Sequence, residues 1–461
     1  MHGMGREINW QAVSEDTARL LSDLIQINTT NPPGNEIEAC RYLEGVFSDM
    51  GLKPEILESE PGRGSIIARI RADNPDGPGV LLLSHLDVVP AEPGDWDEDP
   101  FSGLIRDGEV WGRGSLDCKN ATAIEIMALK LFLEKGHKPG RDIIIAATAD
   151  EEAGGARGMG WLAEHHFEKI QAGFGINEGG GYGYALRTKE LFLCQVAEKA
   201  VCWLMLRAKG APGHASMPPE DSAMNRLLSA IQAVRSHKEP LRVADTIRAL
   251  SDKVIREFGT GAGVAFRLIL RESIMKRVLP RLENAEQERM VHAMLHHTIA
   301  VTSINGGDKI NVIPAQVQAT LDCRLIPGYS PEAMKAKIEE IVNPYDVSVE
   351  LVGSSQGTEM KVDSEFYRSL EHVLKGLRPN AVMIPYLLPG GTDGRFLVAK
   401  GMKVYGFIPL ILADEKGKRG ASGGDVLSRV HGINERVSIK NLEFGTRLLY
   451  ELLVRFCAKS S

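Results

Sequence analysis

Two stretches of the chain, residues 80–87 and 142–148, are short, apolar and rich in β-formers, and between them apolar positions recur at helical spacing over about 118–135. Strand, helix, strand predicts a βαβ unit. A run such as Val80-Leu81-Leu82-Leu83 has no polar face, so its sheet must be covered on both sides. In such sheets functional loops gather at the C-terminal ends of the strands, which directs attention to the polar residues that close them.

The pattern changes near residue 197. An apolar strand runs to Leu206, a helix is predicted over about 221–234, and later come two strands, a helix over Pro331–Val342 and a strand near 347–352. That order is βαββαβ. Within it Val317, Ala319, Leu321, Cys323 and Leu325 alternate with Gln316, Gln318, Thr320, Asp322 and Arg324, as in a strand buried on one face, with Arg324 on the polar side. A charged, helix-prone insertion rich in Arg, Glu and Leu occupies about 237–297. After about residue 353 the β-rich apolar segments and glycine loops return. The expected fold class is α/β: a doubly covered mixed sheet formed by residues 1–195 and 355–461, interrupted by a smaller ferredoxin-like domain at 196–354.

Length and charge narrow the function. At 461 residues the chain exceeds the roughly 250–300 at which one core stops growing, which agrees with two domains. A net charge of -7 disfavours nucleic acid as a partner. No apolar run approaches the ~20 residues that span a bilayer, so no membrane partner is expected. Residues 1–10 lack the make-up of a secretory signal, and the cytoplasm is the expected location. Six scattered cysteines form no CxxC pair, so a metal would have to be held by His and carboxylates.

Five local phrases carry candidate chemistry. In Ser84-His85-Leu86-Asp87 the period of two puts His85 and Asp87 on one side of a strand end, where Asp87 can orient the imidazole. A bland buried His-Asp pair reads equally well. Asp117, at the end of a glycine-rich loop where a helix begins, serves as an N-cap or as a carboxylate whose two oxygens reach two metals. Glu151 and Glu152, adjacent before Gly154-Gly155, diverge at the turn, so that one can bind metal while the other stays free for a water. Glu178 lies in a glycine turn, and His431 is followed by Glu435.

The ordered set His85, Asp117, Glu151-Glu152, Glu178 and His431 resembles the zinc exopeptidases and amidases that include aminoacylase, glutamate carboxypeptidase, acetylornithine deacetylase and succinyl-diaminopimelate desuccinylase. The resemblance extends to Gly213-His214-Ala215-Ser216, Asn311-Val312-Ile313-Pro314, Asp322-Cys323-Arg324 and Gly390-Gly391-Thr392-Asp393. It implies a hydrolase with two divalent metal ions per chain, zinc by preference, with manganese or cobalt tolerated. His85, Asp117 and Glu178 would hold one ion, and Asp117, Glu152 and His431 the other. It further implies Glu151 as general base, Asp87 as the partner of His85, and Glu435 as support for His431. His214 would contact the oxyanion, while Asn311, Arg324 and the Gly391 loop bind a small-molecule or short-peptide substrate through its free carboxylate. The 196–354 domain would act as a lid and as the contact of a homodimer. The 237–297 insertion, longer than in compact members, and Ser115 and Cys118 flanking Asp117 in place of the usual Ala and Met depart from the pattern.

Overall fold

The computed structural model describes residues 7–186, 188–278, 285–412 and 428–459. Part of the 237–297 insertion, residues 279–284, therefore lies outside the described residues. The chain forms two compact units, one comprising Met1–Gln195, Lys361–Pro385 and Thr392–Ser461, the other Val196–Met360 and Tyr386–Gly391.

The first unit is built on a mixed sheet. Val80–His85 lies between Ile143–Thr148 and Phe174–Asn177, parallel to both, and Lys403–Gly406 extends the parallel set beside Phe174–Asn177. Gly64–Ile70 runs antiparallel to Ile143–Thr148, and Glu55–Glu58 closes that edge. Both central strands are buried at every position. Leu81, Leu83, Ile144 and Ala146 pack against Met159, Leu162, Leu397 and Met402 on one face. The intervening side chains turn to the other face, where Lys119–Glu134, itself buried nearly all round, packs against the sheet and against Ile439–Cys457. Ser438 caps the latter helix by accepting a hydrogen bond from the Asn441 amide. The parallel register brings the ends of three strands, at His85, Thr148 and Asn177, to the same edge of the sheet.

The second unit holds a four-stranded antiparallel sheet in the order Thr298–Asn305, Gln316–Leu325, Ala200–Lys209, Val347–Ser355. Its inner face, including Cys202, Leu204, Leu206, Leu321 and Cys323, packs on helices Ala223–Ser236 and Pro331–Val342. The insertion contributes helices Asp245–Phe258, Thr260–Ile269, Glu272–Val278 and Ala285–Leu295, and buries Ile247, Met275 and Leu295 against Ala197, Ile326 and Leu387. Ile384, Tyr386 and Leu387, in the apolar run before Gly390, are buried too.

Candidate metal centre

His85 closes the strand Val80–His85, and its ring is almost wholly buried. Its Nε2 lies 3.1 Å from Asp117 Oδ1 and 3.7 Å from Glu178 Oε1. Its Nδ1 is 2.9 Å from the Asp87 backbone carbonyl, an acceptor only, so Nδ1 carries a proton and donates there, which leaves Nε2 as the ring nitrogen that faces the carboxylates. The expected side-chain contact to Asp87 is longer, 3.4 Å from Nδ1 to Oδ1. The buried Asp87 carboxylate instead accepts hydrogen bonds from the Glu151 and Glu152 amides, both at 3.0 Å, and from Asn31 Nδ2 at 2.8 Å. It fixes the glutamate turn while its own carbonyl fixes the ring.

The second oxygen of Asp117 lies 3.1 Å from His431 Nε2, which is also 3.1 Å from Glu152 Oε2. Asp117 owes its position to Glu435. That buried carboxylate accepts from Arg113 Nη1 at 2.7 Å and from the amides of Gly114, Leu116 and Asp117 at 3.1, 2.7 and 3.2 Å. Glu435 therefore clamps the Asp117 loop rather than the His431 ring, a correction to the sequence expectation. Gly114 allows the clamp: it has φ +89°, and a Cβ there would sit 2.9 Å from Val88 Cγ1. Asp150, which leads into the glutamates, is also left-handed at φ 71°. Arg63 at 2.8 Å and the Arg157 amide at 2.8 Å hold its carboxylate, and Arg63 bonds Glu36 as well.

The electrostatics are those of crowded acids around two imidazoles. Burial, reinforced by Glu178, raises the Glu151 carboxyl well above its ordinary value, and burial with the nearby Asp117 carboxylate pushes Glu178 up to about 7. Burial opposes ionisation of Asp117 as well, but hydrogen bonds from His431 and His85 hold its carboxyl far below the usual range. The same contacts from Asp117 and Glu152 raise His431 to about 10. Among the described residues, two groups each hold ligand atoms that all lie within 4.8 Å of one another: His85, Asp117, Cys118 and Glu178 form one, and Asp117, Glu152 and His431 the other. Glu152 Oε1 is buried and has no hydrogen-bond partner among the described residues. An orphaned carboxylate oxygen among acids fits a divalent cation. Cys118 fits less well, since burial pushes its thiol pKa upward and its Sγ accepts from the His85 amide at 3.3 Å.

The remaining sequence candidates lie in the second unit. His214 is exposed and pairs through the short ribbon Gly213–His214 with Val312–Ile313, where the Asn311 carbonyl accepts from the Ala215 amide at 3.1 Å. The His214 ring bonds Ser216 Oγ at 2.8 Å. Arg324 grips Asp322 through Nε at 2.8 Å and Nη2 at 3.0 Å. Gly391 ends the second unit. Residues that the motifs did not single out include Asn31, Arg63 and Glu36. Asp393, the last residue of the Gly390-Gly391-Thr392-Asp393 phrase, accepts through Oδ2 from Thr148 Oγ1 at 2.9 Å, and burial raises its carboxyl to about 7.

Comparison with known proteins decides the lineage. The profile of peptidase family M20/M25/M40 matches residues 81–455. The chain belongs to peptidase family M20/M25/M40. It is 27% identical over 417 residues to the N-fatty-acyl-amino acid synthase/hydrolase PM20D1 of Mus musculus, covering 87% of this chain and 80% of that protein. Aminoacylase-1 of Mus musculus is 25% identical over 398 residues, with 85% and 86% covered. Among solved structures, the M20 family metallo-carboxypeptidase Sso-CP2 from Sulfolobus solfataricus superimposes with a TM-score of 0.69 at 17% identity, covering 95% of this chain and 98% of that one. The M20 fold, a large mixed sheet with helices, is therefore shared. As a member of the M20 family the chain is a metal-dependent hydrolase.

Proposed function

We propose that this M20 hydrolase cleaves an amide or peptide bond next to a free carboxylate, with an N-acyl amino acid or a short peptide as substrate. The observation that carries the reading is Asp117, whose two oxygens each face a different imidazole, His85 and His431, at 3.1 Å. In this reading His85, Asp117 and Glu178 hold one divalent ion, and Asp117, Glu152 and His431 the other. Zinc is preferred because the ligands mix imidazole with carboxylate; manganese or cobalt suits the same set. When bound, the ions supply Lewis acidity at the scissile carbonyl and acidify water enough for it to attack near neutral pH. Glu151 takes the proton of the attacking water and returns it to the leaving amine. His214 donates to the developing oxyanion, and Asn311, Arg324 and the Gly391 loop receive the substrate carboxylate.

A homodimer formed through the second unit belongs to the same reading. Trp203, paired in register with Asp322, is 44% exposed on the sheet face opposite the helices, as an interface anchor would be. A cytoplasmic location is supported by six buried cysteines, all free thiols. No helix among the described residues is long and apolar enough to cross a membrane.

The test combines elemental analysis, chelation, sedimentation and a panel of N-acyl amino acids and dipeptides. The expected result is about two divalent ions per chain, as a co-catalytic site requires, loss of hydrolysis on chelation with recovery on adding zinc, and a dimeric mass. Full activity after verified metal removal would sink the two-metal assignment. A monomeric mass would remove only the dimer.

A further inference from the structure

Asn120 is the second residue of the helix Lys119–Glu134, three positions after Asp117, and only 1% of it is exposed. Neither its Oδ1 nor its Nδ2 has a hydrogen-bond partner among the described residues. A buried carboxamide is unfavourable unless its polar atoms are matched, and an apolar residue would fill the same helix position without that cost. The side chain lines a cavity of about 30 Å³ that shares Asp117 and Glu178 with the candidate metal centre. Its apolar walls include Leu116, Ala121, Tyr182, Ile408, Leu410 and Val430.

The chemistry of this cavity selects its occupant. A carboxamide offers two N–H donors and one acceptor, so a group that satisfies both ends must accept from Nδ2 and donate to Oδ1. A hydroxyl or another carboxamide does this; an alkyl group does not. The Asp117 and Glu178 carboxylates disfavour an anion there, and the apolar walls disfavour any charge left unpaired. The volume holds about two water-sized groups, since one water needs about 10–15 Å³.

We propose that Asn120 is a specificity-determining residue that receives a short, neutral, hydrogen-bonding group of the substrate, a hydroxyl or a carboxamide, beside the scissile bond. The inference rests on the amidohydrolase reading above. A long alkyl chain is excluded from this cavity and must lie elsewhere if the substrate carries one.

The experiment uses the metal-loaded enzyme and near-isosteric substrate pairs, Thr against Val and Asn against Leu, placed on either side of the scissile amide in N-acetyl amino acids and dipeptides. Wild type should favour the polar member of at least one pair in kcat/KM by roughly tenfold to a hundredfold. Asn120→Leu should lose that preference, through a fall in kcat/KM on the polar member relative to the apolar one, while keeping its metal content. If Asn120→Leu does not fold, Asn120→Ala carries the same comparison. An unchanged preference in the variants, or none in wild type, overturns the role of Asn120, and any bound group is then ordinary solvent. If no substrate of the panel is cleaved, the amidohydrolase reading itself falls, and this inference with it, so the two failures are distinguishable.

Discussion

Glu151 and Glu152 are neighbours in sequence with different surroundings. Glu152 places one oxygen 3.1 Å from His431 Nε2, whereas Glu151 is crowded by the Glu178, Asp393 and Asp117 carboxylates, which with burial raise its pKa. A carboxyl of raised pKa is the better proton acceptor, and one paired with imidazole the better ligand. Glu151→Gln should leave metal content near normal and lower kcat by roughly 10²–10⁴-fold. Glu152→Gln should lower metal content instead, and the reverse pair of phenotypes, read by elemental analysis and steady-state kinetics, would exchange the two roles. The adjacent glutamates were legible in sequence because they sit in a short phrase that ends a strand. The supports were not. Glu435 bonds groups up to 322 residues away, and Asn31 reaches Asp87 across 56. Neither pairing leaves a local pattern, because each exists only once the chain has folded.

At the scale of elements, the strands and the helix around the site follow from periodicity, since a fully apolar run can be satisfied only between two covering layers. The helix Lys119–Glu134 illustrates both the reach and the limit of that reading. Its apolar spacing marks the helix, but it does not reveal that Glu125 points inward and is fully buried, accepting from Ser84 Oγ at 2.9 Å. Burial raises the Glu125 carboxyl well above its ordinary value of 4.5. The unfolded chain then releases this proton at lower pH than the folded one, so the folded state binds more protons above that value. Stability from this group is complete below about 4.5 and declines as pH rises toward the folded pKa. Glu125→Gln keeps the shape and removes the ionisation. It should therefore be more stable than wild type in urea unfolding at pH 7 to 8, with the advantage shrinking at pH 4. An advantage independent of pH would mean that the carboxyl is not the origin.

For the molecule as a whole, the return of β-rich segments after residue 353 indicates an interrupted domain, but it leaves open that Tyr386–Gly391 joins the second unit while Thr392 and Asp393 stay with the first. Boundaries inside a loop depend on which core each side chain enters, and the local composition does not change there. The two units have separate cores, and only the first carries the acidic cluster around Asp117. Without cations, the partly buried carboxylates of Asp117, Glu151, Glu152 and Glu178 repel one another, so bound metal should stabilise the first unit selectively. Ion concentrations at a hundredfold over Kd contribute about 2.7 kcal/mol per site, which for a unit of this size corresponds to a melting shift on the order of 5–10 °C. Trp10, Trp96, Trp111 and Trp161 lie in the first unit, and Trp203 is the single tryptophan of the second. In Trp203→Phe protein, fluorescence therefore reports the first unit alone, while far-UV circular dichroism reports both. Chelation should lower the fluorescence midpoint and leave a later dichroism transition in place. If fluorescence does not move after verified metal removal, the acidic cluster is not where the ions bind. If both signals move together, the units unfold as one cooperative block, and the separate cores do not act independently.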